Sequence, residues 1–135
     1  MAKLNLSTAF ARYGAKLTNP QWAVSAISDQ NELVMSCWKD YLKPVDGVLR
    51  YVDTLSRWEH NKPGNNLLRE HLERAISEGL VVRLVMASAT DMFTVNSGKS
   101  AAGIANSFSV REDLVGSVTN FDGDEFVIEF VASDT

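Results

Sequence analysis

The chain has 135 residues, of which 45% are hydrophobic and 22% charged, and it carries a net charge of −4. That length and balance fit one ordinary globular domain, 1–135, large enough to bury a core without disulfide or metal. The acidic total argues against sequence-independent nucleic-acid binding over a broadly basic surface, and the single cysteine, Cys37, excludes an internal disulfide.

The N-terminal stretch "MAKLNLSTAFARYGAKL" mixes charge into its apolar residues too early for a signal peptide. No apolar run approaches the roughly 20 residues that cross a bilayer. The expected location is the cytoplasm, with no membrane partner. Charge is uneven along the chain. Residues 1–62 hold Lys3, Arg12, Lys16, Lys39, Lys43, Arg50, Arg57 and Lys62, whereas residues 112–134 hold acids and no base. A local basic face is therefore compatible with the acidic total.

"STAFARY" (7–13) predicts a short helix, with Ser7 as its cap and Gly14 as its stop. After the break at Asn19-Pro20, "WAVSAIS" (22–28) and "ELVMSCW" (32–38) flank the turn-prone Asp29-Gln30-Asn31 and predict a hairpin. Leu33, Met35 and Cys37 would then share one strand face. "GVLRYVDTL" (47–55) is rich in β-branched and aromatic residues and predicts a third strand.

In "NNLLREHLERAISEG" (65–79), Leu68, Leu72, Ala75 and Ile76 recur at helical spacing. Asn65 or Asn66 is the expected N-cap, and Gly79 the left-handed C-terminal cap. "LVVRLVMA" (80–87) has the continuous apolarity of an interior strand. Residues 96–109, with four Ser, two Gly and two Asn, suggest a mobile loop. "LVGSVTNF" and "EFVIEFVA" bracket Asp122-Gly123 and predict a closing hairpin, with Phe126, Ile128 and Phe130 inward. The fold class expected is α+β: a mostly antiparallel, curved sheet of about six strands, one main helix and a short N-terminal helix.

"TVNSGKSAAG" (94–103) contains the Gly-Lys-Ser that closes a phosphate-binding loop, but Phe93 stands where the opening glycine belongs. The following "AAGIANSF" is a poor helix, so no nucleotide is expected there. His60 and His71 lack zinc-motif spacing, and His71, next to Glu70, reads as a solvated helix residue. Cys37, alternating with Leu33 and Met35, reads as a packed strand residue rather than a nucleophile. Asp122 and Asp124 mimic the start of a calcium loop whose remaining ligands are missing. No cofactor is expected.

Trp22, Trp38 and Trp58 each stand among polar residues, in "NPQW", "CWKD" and "SRWEHNKPGNN". Each is ordinarily a partly buried core residue. Yet Arg57, Trp58, His60, Asn65 and Asn66 converge on a loop that leads into a helix N-terminus, where unpaired N–H groups attract anions. Arg57, Trp58, Asn65 and Asn66 would lie at the mouth of a concavity, with Trp22 or Trp38 as a wall. An indole there could stack a base while Arg57 holds a phosphate. The same residues could equally build a hydrogen-bonded structural loop.

The stretches "ARYGAKLTNPQWAVSA", "CWKDYL" and "RWEHNKPGNNLLREHLERA" resemble small uncharacterised bacterial proteins, including proteins encoded on mobile integron gene cassettes. The resemblance covers residues 11–80. It implies a bacterial accessory protein of the cytoplasm and no activity. Together these readings favour a binding module for a nucleic acid or nucleotide-like ligand. The alternatives are an enzyme using His60 or His71, and a domain that self-associates through a sheet edge or an apolar face.

Overall fold

The computed structural model describes residues 5–19, 22–89 and 106–133. The Gly-Lys-Ser stretch and residues 96–105 of the expected loop lie outside the described residues. In chain order the elements are α1 (Leu6–Ala11), β1 (Ser25–Ile27), β2 (Leu33–Trp38), β3 (Leu42–Val45), β4 (Val48–Thr54), α2 (Lys62–Glu78), β5 (Val82–Ala89), β6 (Asn106–Val110), β7 (Leu114–Phe121) and β8 (Glu125–Ala132). Short 3-10 turns at Lys39–Tyr41 and Ser56–Trp58 precede β3 and α2.

The eight strands among the described residues join one sheet in the order β1-β2-β5-β7-β8-β4-β3, with β6 also paired to β5. The α+β class holds, with two strands more than the sequence predicts. β3 carries Pro44, yet it pairs with β4 around Asp46-Gly47, whose positive φ values (50° and 81°) suit a tight hairpin turn. β6 corrects the loop expectation at residues 106–109. Its polar "NSFSV" pairs antiparallel with residues 85–89 of β5. Among the described residues one pairing is parallel, β2 with β5, and α2 lies in the crossover between them.

α2 begins earlier than its apolar period suggests. Asn61, not Asn65 or Asn66, is the N-cap; its side chain accepts from the Gly64 N–H at 3.1 Å, and Pro63 sits in the first turn. Pro there forfeits no helical hydrogen bond. Gly79 closes the helix in the left-handed conformation, as predicted. Leu68, Leu72 and Ala75 pack on Leu33, Met35, Leu84, Phe126, Ile128 and Phe130 to form the main core. Ile76 does not join that stripe and stands 49% exposed.

A second stripe on the helix faces β1 and the chain leading into it. Gly64 lies so close to the Trp22 carbonyl that a side chain at 64 would collide with it. The Asn61 amide donates to the same carbonyl at 2.9 Å. Leu67 packs, as Trp22 does, against the cluster that holds Ala23 and Ala26, His71 meets Ser25, and Arg74 donates to Asn31 at 2.7 Å.

Among the described residues, the opposite sheet face is covered over only part of its width. Ala9, Phe10, Tyr13, Ala15, Leu17, Ala23 and Ala26 pack on Val34 of β2 and Val85 of β5. Tyr13 anchors this layer. Its hydroxyl donates to the Leu84 carbonyl at 2.7 Å and accepts from the Arg111 N–H at 3.1 Å. Burial pushes that phenol up to about 12. The Arg83 guanidinium lies over the ring, 4.8 Å from its centroid.

Candidate functional site

The loop singled out from the sequence resolves into a polar network that fastens β4 to α2. Arg57 grips the buried Asp53 carboxylate with two hydrogen bonds of 2.7 Å, through Nε and Nη2. The Tyr51 hydroxyl donates to Asp53 at 3.2 Å, and the Trp38 N–H donates to that hydroxyl at 3.4 Å. Arg57 also lies over the Tyr41 ring, 5.1 Å from its centroid. Burial works against the Arg57 charge, but the Asp53 carboxylate outweighs it, so the guanidinium holds its proton more tightly than usual.

The remaining predicted residues disperse. Trp58 is buried in the main core, with an indole N–H that lacks a partner. Asn65 is buried and its amide donates to the Leu55 carbonyl at 2.8 Å. His60 and Asn66 are exposed. Trp22 is half-buried against the layer formed by α1, whereas Trp38 is half-buried against the main core. The structure thus joins Arg57 to the strand end at Trp38 and sends Trp58 and Asn65 inward. Asp122 and Asp124 are occupied by the chain itself: Asp122 accepts two backbone N–H groups, and Asp124 holds Ser56 through its N–H and hydroxyl.

The nucleophile candidates are equally enclosed. Burial, then the charge of Asp53, raises the Cys37 thiol well above its ordinary value, so it stays protonated near neutrality. His71 corrects the solvated reading, because its Nδ1 lies 2.8 Å from the Ser25 hydroxyl and the ring is half-buried. Burial, then the Arg74 charge, lowers its pKa, so the ring is neutral at pH 7. Serine beside a neutral imidazole has the form of a nucleophile and base. Ser25, however, has no exposed surface, and among the described residues no carboxylate hydrogen-bonds the other ring nitrogen. Among those residues, too, no three His, Cys, Asp or Glu groups could hold a metal ion.

The surface that remains unassigned is the bare half of the sheet, opposite α2, on β3, β4, β8 and β7. Val45 pairs with Val48, Leu49 with Phe130, and Val115 with Val131. One step beyond Leu49/Phe130, Val48 adjoins Val131, so four valines form a cross-strand row. The neighbouring row reads Lys43, Arg50, Glu129 and Ser117, each paired with the next. Val52, exposed, lies one row further, across from Val127, which is buried. Val48, Val81, Val115, Ser117, Glu129 and Val131 line a shallow hollow of about 290 Å³.

Five large hydrophobic side chains stand exposed among the described residues. Four of them (Val45, Val52, Val81 and Val131) are on this face. Sequence reading missed the face because each valine is ordinary in a strand. The signal was available in "EFVIEFVA" and "GVLRYV", where the positions alternate to the core face are also partly valine.

No family model, curated protein or solved structure matches the chain.

The network and the histidine give separate outcomes. Arg57→Ala leaves Asp53 buried without its cation, so unfolding free energy should fall by about 3–5 kcal/mol in urea melts. A variant as stable as wild type would show the pair to be dispensable to the fold. For His71, the unfolded ring takes a proton near pH 6.5, but the folded ring does so only at lower pH. Its contribution is therefore complete above about pH 6.5 and is lost as pH falls through the folded value. The melting temperature should drop between about pH 7.5 and pH 5.5, and drop less in His71→Gln. Equal slopes would contradict the assignment.

Proposed function

We propose that this chain is a non-catalytic interaction module that docks a protein partner on the bare half of its sheet. The observation that carries this reading is the concentration of exposed valines in one cross-strand arrangement. Scattered apolar residues on a surface need no explanation, whereas a contiguous patch rimmed by polar groups marks an interaction site.

The sheet edges are poor alternatives. β1 has only three residues, and β3, at the other edge, carries Lys43 and Pro44. Short strands, lysine and proline are the devices that keep edges from pairing. The face therefore has the stronger support. A nucleic acid or nucleotide-like ligand at the Arg57 loop draws less, because Arg57 already holds Asp53, Trp58 is buried and the Asn65 amide is spent on Leu55. Catalysis by His71 draws less for the same reason: its serine partner is enclosed.

A photo-crosslinking residue placed at Val131, in the full chain expressed in a bacterial cell, tests the reading. The same residue at the exposed Ile76, on α2, is the control. Adducts formed from 131 and absent from 76 are expected. Absence of any adduct from 131, or the same adducts from both positions, would overturn the docking face.

A further inference from the structure

The bare face is complementary to itself, and from this we infer that its partner is a second copy of the chain, docked face to face about a two-fold axis. This rests on the docking reading above and adds the occupant and its geometry. A two-fold axis that relates two facing sheets lies in the plane between them. Here it would run parallel to the strands, between β4 and β8, which adjoin in the sheet. Rotation about it carries β4 of one chain over β8 of the other.

The registers then make the match. Arg50 and Glu129 are direct cross-strand neighbours, so each straddles that axis. Rotation puts Arg50 over the partner's Glu129 and Glu129 over the partner's Arg50. The next row follows: Val48 meets the partner's Val131, and Val45 meets the partner's Val115. Two valine rows close on each other while, in the charge row, Arg50 and Glu129 meet opposite charges and Lys43 meets the partner's Ser117. Packed sheets cross at about 30°, so the match is best near the axis, where Arg50, Glu129, Val48 and Val131 stand.

The charge row also explains why a copy fits better than an unrelated apolar partner. Within one chain, Arg50 reaches Glu129 only at 3.7 Å, with both side chains about two-fifths exposed (43% and 38%). Such a pair is weak in water. Lys43 lies directly across from Arg50, a juxtaposition of like charges. A flat apolar partner would strip water from these cations and supply no carboxylate. The second copy sets Glu129 over Arg50 and the Ser117 hydroxyl over Lys43. The face is four strands wide over its valine and charge rows, with Val52 beyond them, which buries on the order of 1,000 Å² between two chains. That is the low end for a specific interface, so the dimer should form at high micromolar concentration.

Sedimentation equilibrium of the full chain up to about 0.5 mM reads the assembly, beginning with wild type at about twice 14.9 kDa. Arg50→Glu and Glu129→Arg are then examined singly and together in one solution. Each alone should weaken dimerisation at least tenfold, since rotation sets like charges face to face. An equimolar mixture should restore a dimer of one chain of each kind. That rescue needs the two-fold pairing, because the pair within each chain remains mismatched. The double variant Arg50→Glu/Glu129→Arg keeps both kinds of pairing and should dimerise as wild type, which covers the case of a single variant that misfolds. A monomeric wild type, or single variants that dimerise unimpaired, would overturn the inference. So would a mixture that stays monomeric. Adducts from position 131 to a chain of different mass would sink the second copy while leaving the docking face standing, whereas no adduct would sink both.

Discussion

A broad sheet has two faces to cover, and among the described residues one long helix is there to cover them. α2 lies across one face and closes the main core with Leu68, Leu72 and Ala75. On the other face, the cover that residues 6–26 provide is short of apolar bulk. Ala9, Ala15, Ala23 and Ala26 contribute little volume, and Phe10 with Tyr13 carry most of the packing. Among the described residues that layer covers β2, β5 and β6, with Phe108 and Val110 packed into it. Arg83, with Tyr13 on one side and Glu32 at 3.6 Å, stands at its margin. Beyond it, valines on β3, β4, β7 and β8 meet water. Exposed apolar surface of that extent is unfavourable in an isolated chain, and the docking proposal follows from that shortage of cover.

The polar network at Asp53 is a second, local constraint. A carboxylate in the core is costly to desolvate unless it is fully paired. Here Tyr51 and Arg57 satisfy it, and Asp53 Oδ1 also accepts the Thr54 N–H at 2.8 Å. The result positions the 3-10 turn at Ser56–Trp58 and, through it, the start of α2. Asn65 reinforces the same joint by holding the Leu55 carbonyl. In sequence, an Arg, a Trp and several Asn before a helix resemble a ligand loop, because the groups that satisfy a buried backbone are those that recognise a phosphate or a base. Burial separates the two uses, and burial is a tertiary property.

Elements whose pattern is complete within a few residues were legible from the sequence. The apolar period of α2, the alternation of β8 and the Asp122-Gly123 turn each fix their own conformation. β3 was hidden by Pro44, although Asp46-Gly47 marked its hairpin; β6 was hidden because its apolar positions, Phe108 and Val110, stand among serines in a polar stretch. The start of α2 was obscured by Pro63-Gly64, residues that break helix interiors but suit a first turn packed against another chain segment. His71 belongs to a second helical stripe with Gly64, Leu67 and Arg74, whose partner β1 lies some forty residues away. The bare face was illegible for the same reason. Its rows exist only once the registers of four strands are known, and no single stretch contains more than two members of a row.

The central claim is that the valine row is covered by a second copy. It is tested most directly by recording the valine methyl resonances of the wild-type chain while it is diluted. The account requires concentration-dependent shifts at Val45, Val48, Val115 and Val131, with Val34 and Val85, already covered by the α1 layer, unmoved. Shifts confined to α2 or the β1 edge, or spectra that do not change with concentration, would contradict it.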